Sequence, residues 1–175
     1  MASSAQGMGA KNIGYYSERG QAHPARRQLQ RMISIKEQVE SLCKRYDSRD
    51  PFEIARQKKI LVLFEPLGTI RGYYNHCYRQ KFIHINEEVP REEQLFICAH
   101  ELGHAILHPN ANTPFLVSNT FFCVNKLEIE ANRFAADLIC PDEKIRELSG
   151  YTISEMAVCL GLEEDLVRYK CSFLP

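Results

Sequence analysis

The chain has 175 residues, 45% hydrophobic and 25% charged, with 22 basic side chains balancing 22 acidic ones. That length suits one globular domain with an extension, large enough to hold a core without disulfides. Zero net charge gives no global pull toward nucleic acid or an anionic membrane; no apolar run nears the ~18 residues of a membrane span, and the opening residues lack the apolar core of a secretion signal.

In chain order, residues 1–33 read as a flexible basic N-terminal extension and residues 34–175 as one domain. Residues 1–20 hold four of the nine glycines and no apolar period. Lys11, Arg19, Arg26, Arg27 and Arg31 stand there against Glu18 alone, a pattern read as a solvated tail. Ser34-Ile35-Lys36-Glu37 has the form of a capping box, followed by Ile35, Val39, Leu42 and Tyr46 at helical spacing. Asp50-Pro51 starts a short helix to about Lys58. Ile60 to Phe64, Ile70 to Tyr74 and Lys81 to Asn86 are strand candidates, expected to form a small antiparallel meander feeding a helix opened by Pro90. Pro109 and Pro114 bracket a loop, and a long helix runs from about Asn125 to Cys140. Glu143 to Leu148 and two helices split by Gly161 complete an α+β chain with a helical C-terminal part.

The helix after Pro90 carries His100-Glu101-Leu102-Gly103-His104, the His-Glu-x-x-His arrangement. Residues four apart share a helix face, so both imidazoles can reach one zinc ion while Glu101 overhangs an open position as general base. The bland alternative is a core helix with two hydrogen-bonded histidines. A catalytic zinc usually has a third protein ligand. His108 lies about 6 Å along the axis from His104 and ~12 Å from His100, too far for one helix to wrap all three, which leaves it a supporting or loop-anchoring role. Glu128 and Glu130 on the next long helix remain. Glu128 is favoured because it lies beside the apolar face of Leu127, Ala131 and Ala135, and because Asn132, four residues on, can hydrogen-bond a ligand histidine. Glu128 could instead close a capping box begun by Asn125.

Cys43, Cys77, Cys98, Cys123, Cys140, Cys159 and Cys171 include no C-x-x-C pair and are odd in number. They read as free thiols of a reduced, cytoplasmic protein. Cys98 points about 200° away from His100 around the helix and is a poor ligand.

His100-Glu-Leu-Gly-His104 followed by Glu128-x-x-Ala-Asn132-x-Phe-Ala-Ala-x-Leu-x-x-Pro141 resembles the ImmA/IrrE family of zinc metallopeptidases over roughly residues 50–172. The resemblance implies a zincin-type active-site helix under a three-stranded, largely antiparallel sheet. It also implies zinc on His100, His104 and Glu128, Glu101 as base, and Asn132 and His108 in support. Members accompany helix-turn-helix repressors in bacteria, prophages and integrative elements, which implies an endopeptidase that cuts a cytoplasmic repressor. An extended substrate would add along Lys81–Ile85. Conceivable oxyanion partners are His84, Tyr73, Tyr74 and His108, each also readable as structural.

The competing class is a regulatory module that binds a repressor or DNA, with the metal site structural. Thr152 to Tyr169 resembles a helix-turn-helix core. Its second helix opens with Glu163-Glu164-Asp165, however, which repels phosphate, so direct DNA binding is disfavoured.

Overall fold

A computed structural model describes residues 24–110 and 121–174. Seven helices and three strands make up these residues, in the α+β order expected. Helix α1 (Pro24–Tyr46) begins ten residues before Ser34, so Ser34 is inside a helix and not its cap. The Ser34 hydroxyl oxygen accepts from Gln38, one turn on. Residues 24–33, placed with the extension on sequence grounds, are therefore helical; residues 1–23 lie outside the described residues. Ile35, Val39 and Cys43 are the buried stripe of α1. Helix α2 (Pro51–Gln57) starts as its sequence dictates: Asp50 accepts from the Phe52 amide, and Pro51 fills a first-turn position whose N–H has no helical partner.

Strands β1 (Leu61–Glu65), β2 (Gly72–Cys77) and β3 (Gln80–Asn86) form a sheet in the order β1-β3-β2. The tight turn at Tyr78 and Arg79, both at positive φ, pairs β2 and β3 antiparallel. β1 pairs with β3 in parallel, so the sheet is mixed and not a meander. The reason lies at the end of β3, where the Asn86 amide donates to the carbonyls of Gly68 and Ile70. Those bonds pin the β1–β2 connection across the sheet end and carry β2 past β3 to the far edge. Tyr74, Ile83 and Ile85 are fully buried on the face that packs against helix α3 (Arg91–Leu107).

Helix α4 (Phe121–Ile139) lies against both α3 and α1, and starts ahead of Asn125. Asn125 is thus inside the helix, and the capping alternative for Glu128 falls away. Helices α5 (Asp142–Glu147), α6 (Ile153–Leu160) and α7 (Glu164–Cys171) follow. Thr152 and Glu155 form the expected capping box, and Gly161 at φ 63° separates the last two helices. Met156, Leu162, Leu166 and Val167 pack with Ala136 and Cys140 of the α4 end in a second core. The helix-turn-helix-like segment thus buries its apolar face beneath the domain. No helix among the described residues is long and apolar enough to cross a membrane.

Candidate metal centre

Helix α3 buries Ile97, Cys98, Ala99, Leu102 and Ala105, which leaves His100, Glu101 and His104 on the side turned toward α4 and β2. Two glycines set the spacing around them. A Cβ on Gly103 would stand 3.1–3.2 Å from the Phe134 ring, so its absence lets α3 and α4 approach closely. A Cβ on Gly72 would meet Ile97 at 2.6 Å and the His84 carbonyl at 2.8 Å, so only glycine lets β2 lie this low over α3.

The close approach brings Glu128 of α4 to the two histidines. His100 Nε2 and His104 Nε2 are 3.1 Å apart. Glu128 Oε2 is 3.1 Å from the first, and Oε1 is 3.3 Å from the second. Among the described residues this trio is the one His/Cys/Asp/Glu group arranged to hold a metal ion. Three ligands placed tetrahedrally at about 2.0–2.1 Å from an ion stand about 3.3 Å from one another, so the spacing fits a four-coordinate ion of zinc's size. Lone pairs of this kind converge stably only around a proton or a cation. Glu128's side chain is 40% exposed while His104's is 1% exposed, so the cluster is anchored in the core and open on one side.

The surrounding charges agree. Burial opposes a charged His100, but the Glu128 carboxylate raises its pKa overall. Burial likewise pushes Glu128 up, and the hydrogen bonds from both imidazoles outweigh it, holding the carboxyl well below the usual range. Burial raises Glu101 against the pull of His100 and His104. The Tyr74 backbone amide bonds the Glu101 carboxylate, whose Oε2 is buried with no hydrogen-bond partner among the described residues. The Glu101 carboxylate, near enough to feel the charges of His100, His104 and Glu128, suits a group that handles a water proton. Asn132 Oδ1 meets His100 Nδ1 at 2.7 Å, which fixes that ring's orientation.

Other candidates fall elsewhere. Glu130 is buried against Arg31 and His108 and is not in the cluster. His84 bonds Glu65 and stacks on Tyr73 at 4.3 Å. In the β2–β3 register both point away from the face of Ile83 and Tyr74, hence away from α3. The Tyr74 hydroxyl donates to the Pro109 carbonyl at 3.0 Å. None of the three offers a free donor to the cluster. β3 is the central strand, so its backbone is used on both sides and Lys81–Ile85 has no edge to offer. Among the described residues, the sheet edge beside α3 that pairs with no further strand belongs to β2. Sequence reasoning missed Tyr74's amide and Gly72; an isolated glycine opening a strand was the available sign of close approach.

Residues 55–172 match the model of the IrrE N-terminal-like domain, Peptidase_M78. The chain is 40% identical over 139 residues to the "Uncharacterized immunity region protein 2" of Bacillus phage phi105, covering 78% of this chain and 88% of that protein. It is 33% identical over 144 residues to the "Metallopeptidase ImmA" of Bacillus subtilis (strain 168), covering 79% and 84% respectively. With a His-His-Glu trio able to hold a metal ion on two packed helices inside the matched segment, the chain belongs to the Peptidase_M78 family of IrrE N-terminal-like domains.

Proposed function

We propose that the protein is a zinc-dependent endopeptidase whose substrate is a cytoplasmic helix-turn-helix repressor. The convergence of His100, His104 and Glu128, with the Glu101 carboxylate near them, carries this reading. Two imidazoles and one carboxylate are a known catalytic zinc donor set. His100, His104 and Glu128 would hold the ion, which when bound would supply Lewis acidity to polarise the scissile carbonyl and acidify water. Glu101 takes the proton of the attacking water on its carboxylate and later delivers one to the leaving amine. His100 is steadied by Asn132, and the Tyr74 amide keeps Glu101 aimed. An extended substrate adds to the open edge of β2, the strand held low over α3 by Gly72.

The repressor as target rests on the resemblance to a family found beside such repressors and on the immunity-region name of the phage relative. A purely structural metal site is the second reading; the half-exposed ligand Glu128 and the carboxylate beside an open position speak against it. The experiment incubates zinc-loaded protein with the repressor encoded nearest its gene. Wild type cleaves it, chelator stops cleavage, and Glu101→Gln keeps zinc but loses about 100-fold or more in rate. Equal cleavage by wild type and Glu101→Gln rules out the mechanism, and an intact repressor throughout rules out the substrate.

A further inference from the structure

The ligands come from two helices, so their convergence depends on the register between α3 and α4. On one side Asn132 meets His100, and the Phe134 ring lies against Gly103. A second clamp sits on the other side, beyond His104. His108 closes α3, its ring centroid 5.7 Å from that of His104 and its side chain 9% exposed. The ring hydrogen-bonds the backbone of Leu127 in α4. Its Nε2, with no aligned hydrogen-bond partner among the described residues, faces Glu130 Oε2 at 3.5 Å. The other Glu130 oxygen forms an ion pair with Arg31 Nε of α1 at 2.7 Å. Glu130's side chain is 7% exposed, so its charge must be compensated from within the protein, and Arg31 does so.

We infer that Arg31 and Glu130 are positioning residues of the metal centre, an inference that rests on the metal-centre reading above. The Arg31–Glu130 pair ties α1 to α4 two residues from Glu128, and the Leu127 backbone fixes His108, which holds the last turn of α3, and with it His104, in register with Glu128. Helix α1 lies wholly ahead of the segment matched by the family, yet it braces the site that segment carries. The same pairing keeps Glu130 from competing for the ion: it points about 200° away from Glu128's neighbourhood around the helix and is already neutralised.

The test loads wild type, Glu130→Leu, Arg31→Gln, Arg31→Lys and Lys36→Gln with Zn²⁺ and measures release to a chelator, with visible spectra of the Co²⁺ forms and melting of the metal-free forms alongside. Lys36 is the control, because it ties α1 to Asp142 at 2.6 Å, away from the clamp. Glu130→Leu and Arg31→Gln are expected to release zinc roughly tenfold faster or more, with altered Co²⁺ spectra. Arg31→Lys falls between, and Lys36→Gln matches wild type even where its melting temperature drops. Glu130→Leu removes the buried charge and so folds even where Arg31→Gln, which strands it, does not. Wild-type zinc release and spectra in Glu130→Leu overturn this inference alone, as does release from Lys36→Gln as fast as from Arg31→Gln. A wild type that takes up neither Zn²⁺ nor Co²⁺ overturns it together with the metal-centre reading.

Discussion

Helix α4 carries a buried polar cluster at each end, and the two are built on opposite principles. Near its start, Glu128 meets His100 and His104, and every atom that converges can act as an electron-pair donor. At its end, Asp137 is 1% exposed and accepts from Lys170 Nζ at 2.8 Å and the Tyr169 hydroxyl at 2.6 Å. Lys170 also reaches Asp142, which in turn binds Lys36 of α1. The second cluster supplies its own cations and is complete; it ties α1, α4, α5 and α7 together. The first gathers three groups able to donate electron pairs to one cation and is open on one side. A buried network that closes on itself is architecture, whereas donors that converge toward an open side are arranged to hold an ion.

The largest expected difference concerns what each cluster does to folding. Lys170→Met strands the buried Asp137 charge and should cost about 3–5 kcal/mol in urea unfolding. Asp137→Asn added to it removes that charge while keeping an acceptor for Tyr169, and should recover most of the loss. Zinc affinity in the double variant should equal that of wild type. If it collapses, the two clusters are one unit and the contrast is lost.

Next in size is the response to metal. A ligand that binds only the native state at 100 times its dissociation constant adds about 2.7 kcal/mol. Zinc at that excess should therefore raise the melting temperature of wild type and of the Asp137→Asn/Lys170→Met variant alike. It should leave His104→Gln and Glu128→Gln unmoved, and Glu130→Gln should respond. A zinc response in Glu128→Gln that equals wild type would remove Glu128 from the ligand set.

How much of this the sequence discloses follows the same division between local and distant contacts. His100, Glu101 and His104 are legible because one helix sets their spacing, and Asn132 because it stands one turn from Glu128. The Thr152 box, the Asp50 cap and the Gly161 break are legible because their partners lie within a few residues. The parallel pairing of β1 with β3 is not, since it is decided by the Asn86 amide gripping the Gly68 and Ile70 carbonyls from the far end of another strand. Arg31 reads as one more charge in a basic tail until α1 folds back on α4 and sets it against Glu130. Ser34 has every local mark of a cap, but the Arg31 contact and the stripe of Ile35, Val39 and Cys43 belong to a helix already running.

The smallest expected effect is in alkali, where the closed cluster titrates. Burial by itself lowers the Lys170 pKa, but the Asp137 and Asp142 carboxylates facing it outweigh that and raise it above 10.5. Burial, with Asp137 beside it, also raises the Tyr169 phenol. Both groups hold their protons longer in the folded state than in the unfolded one. Their contribution is therefore fully present below about pH 10, where the unfolded side chains are still protonated, and declines as pH rises toward the folded pKa values. Burial raises the Cys43, Cys98 and Cys140 thiols in both proteins, so both should lose stability in alkali, but above about pH 10 wild type should fall more steeply than Asp137→Asn/Lys170→Met, which lacks the lysine and the charge that helps hold the phenol's proton. Equal alkaline slopes in the two proteins would mean that Lys170 gains nothing from its carboxylates. The cluster at the end of α4 would then owe its stability to packing alone, and the contrast with the metal centre would rest on geometry without charge.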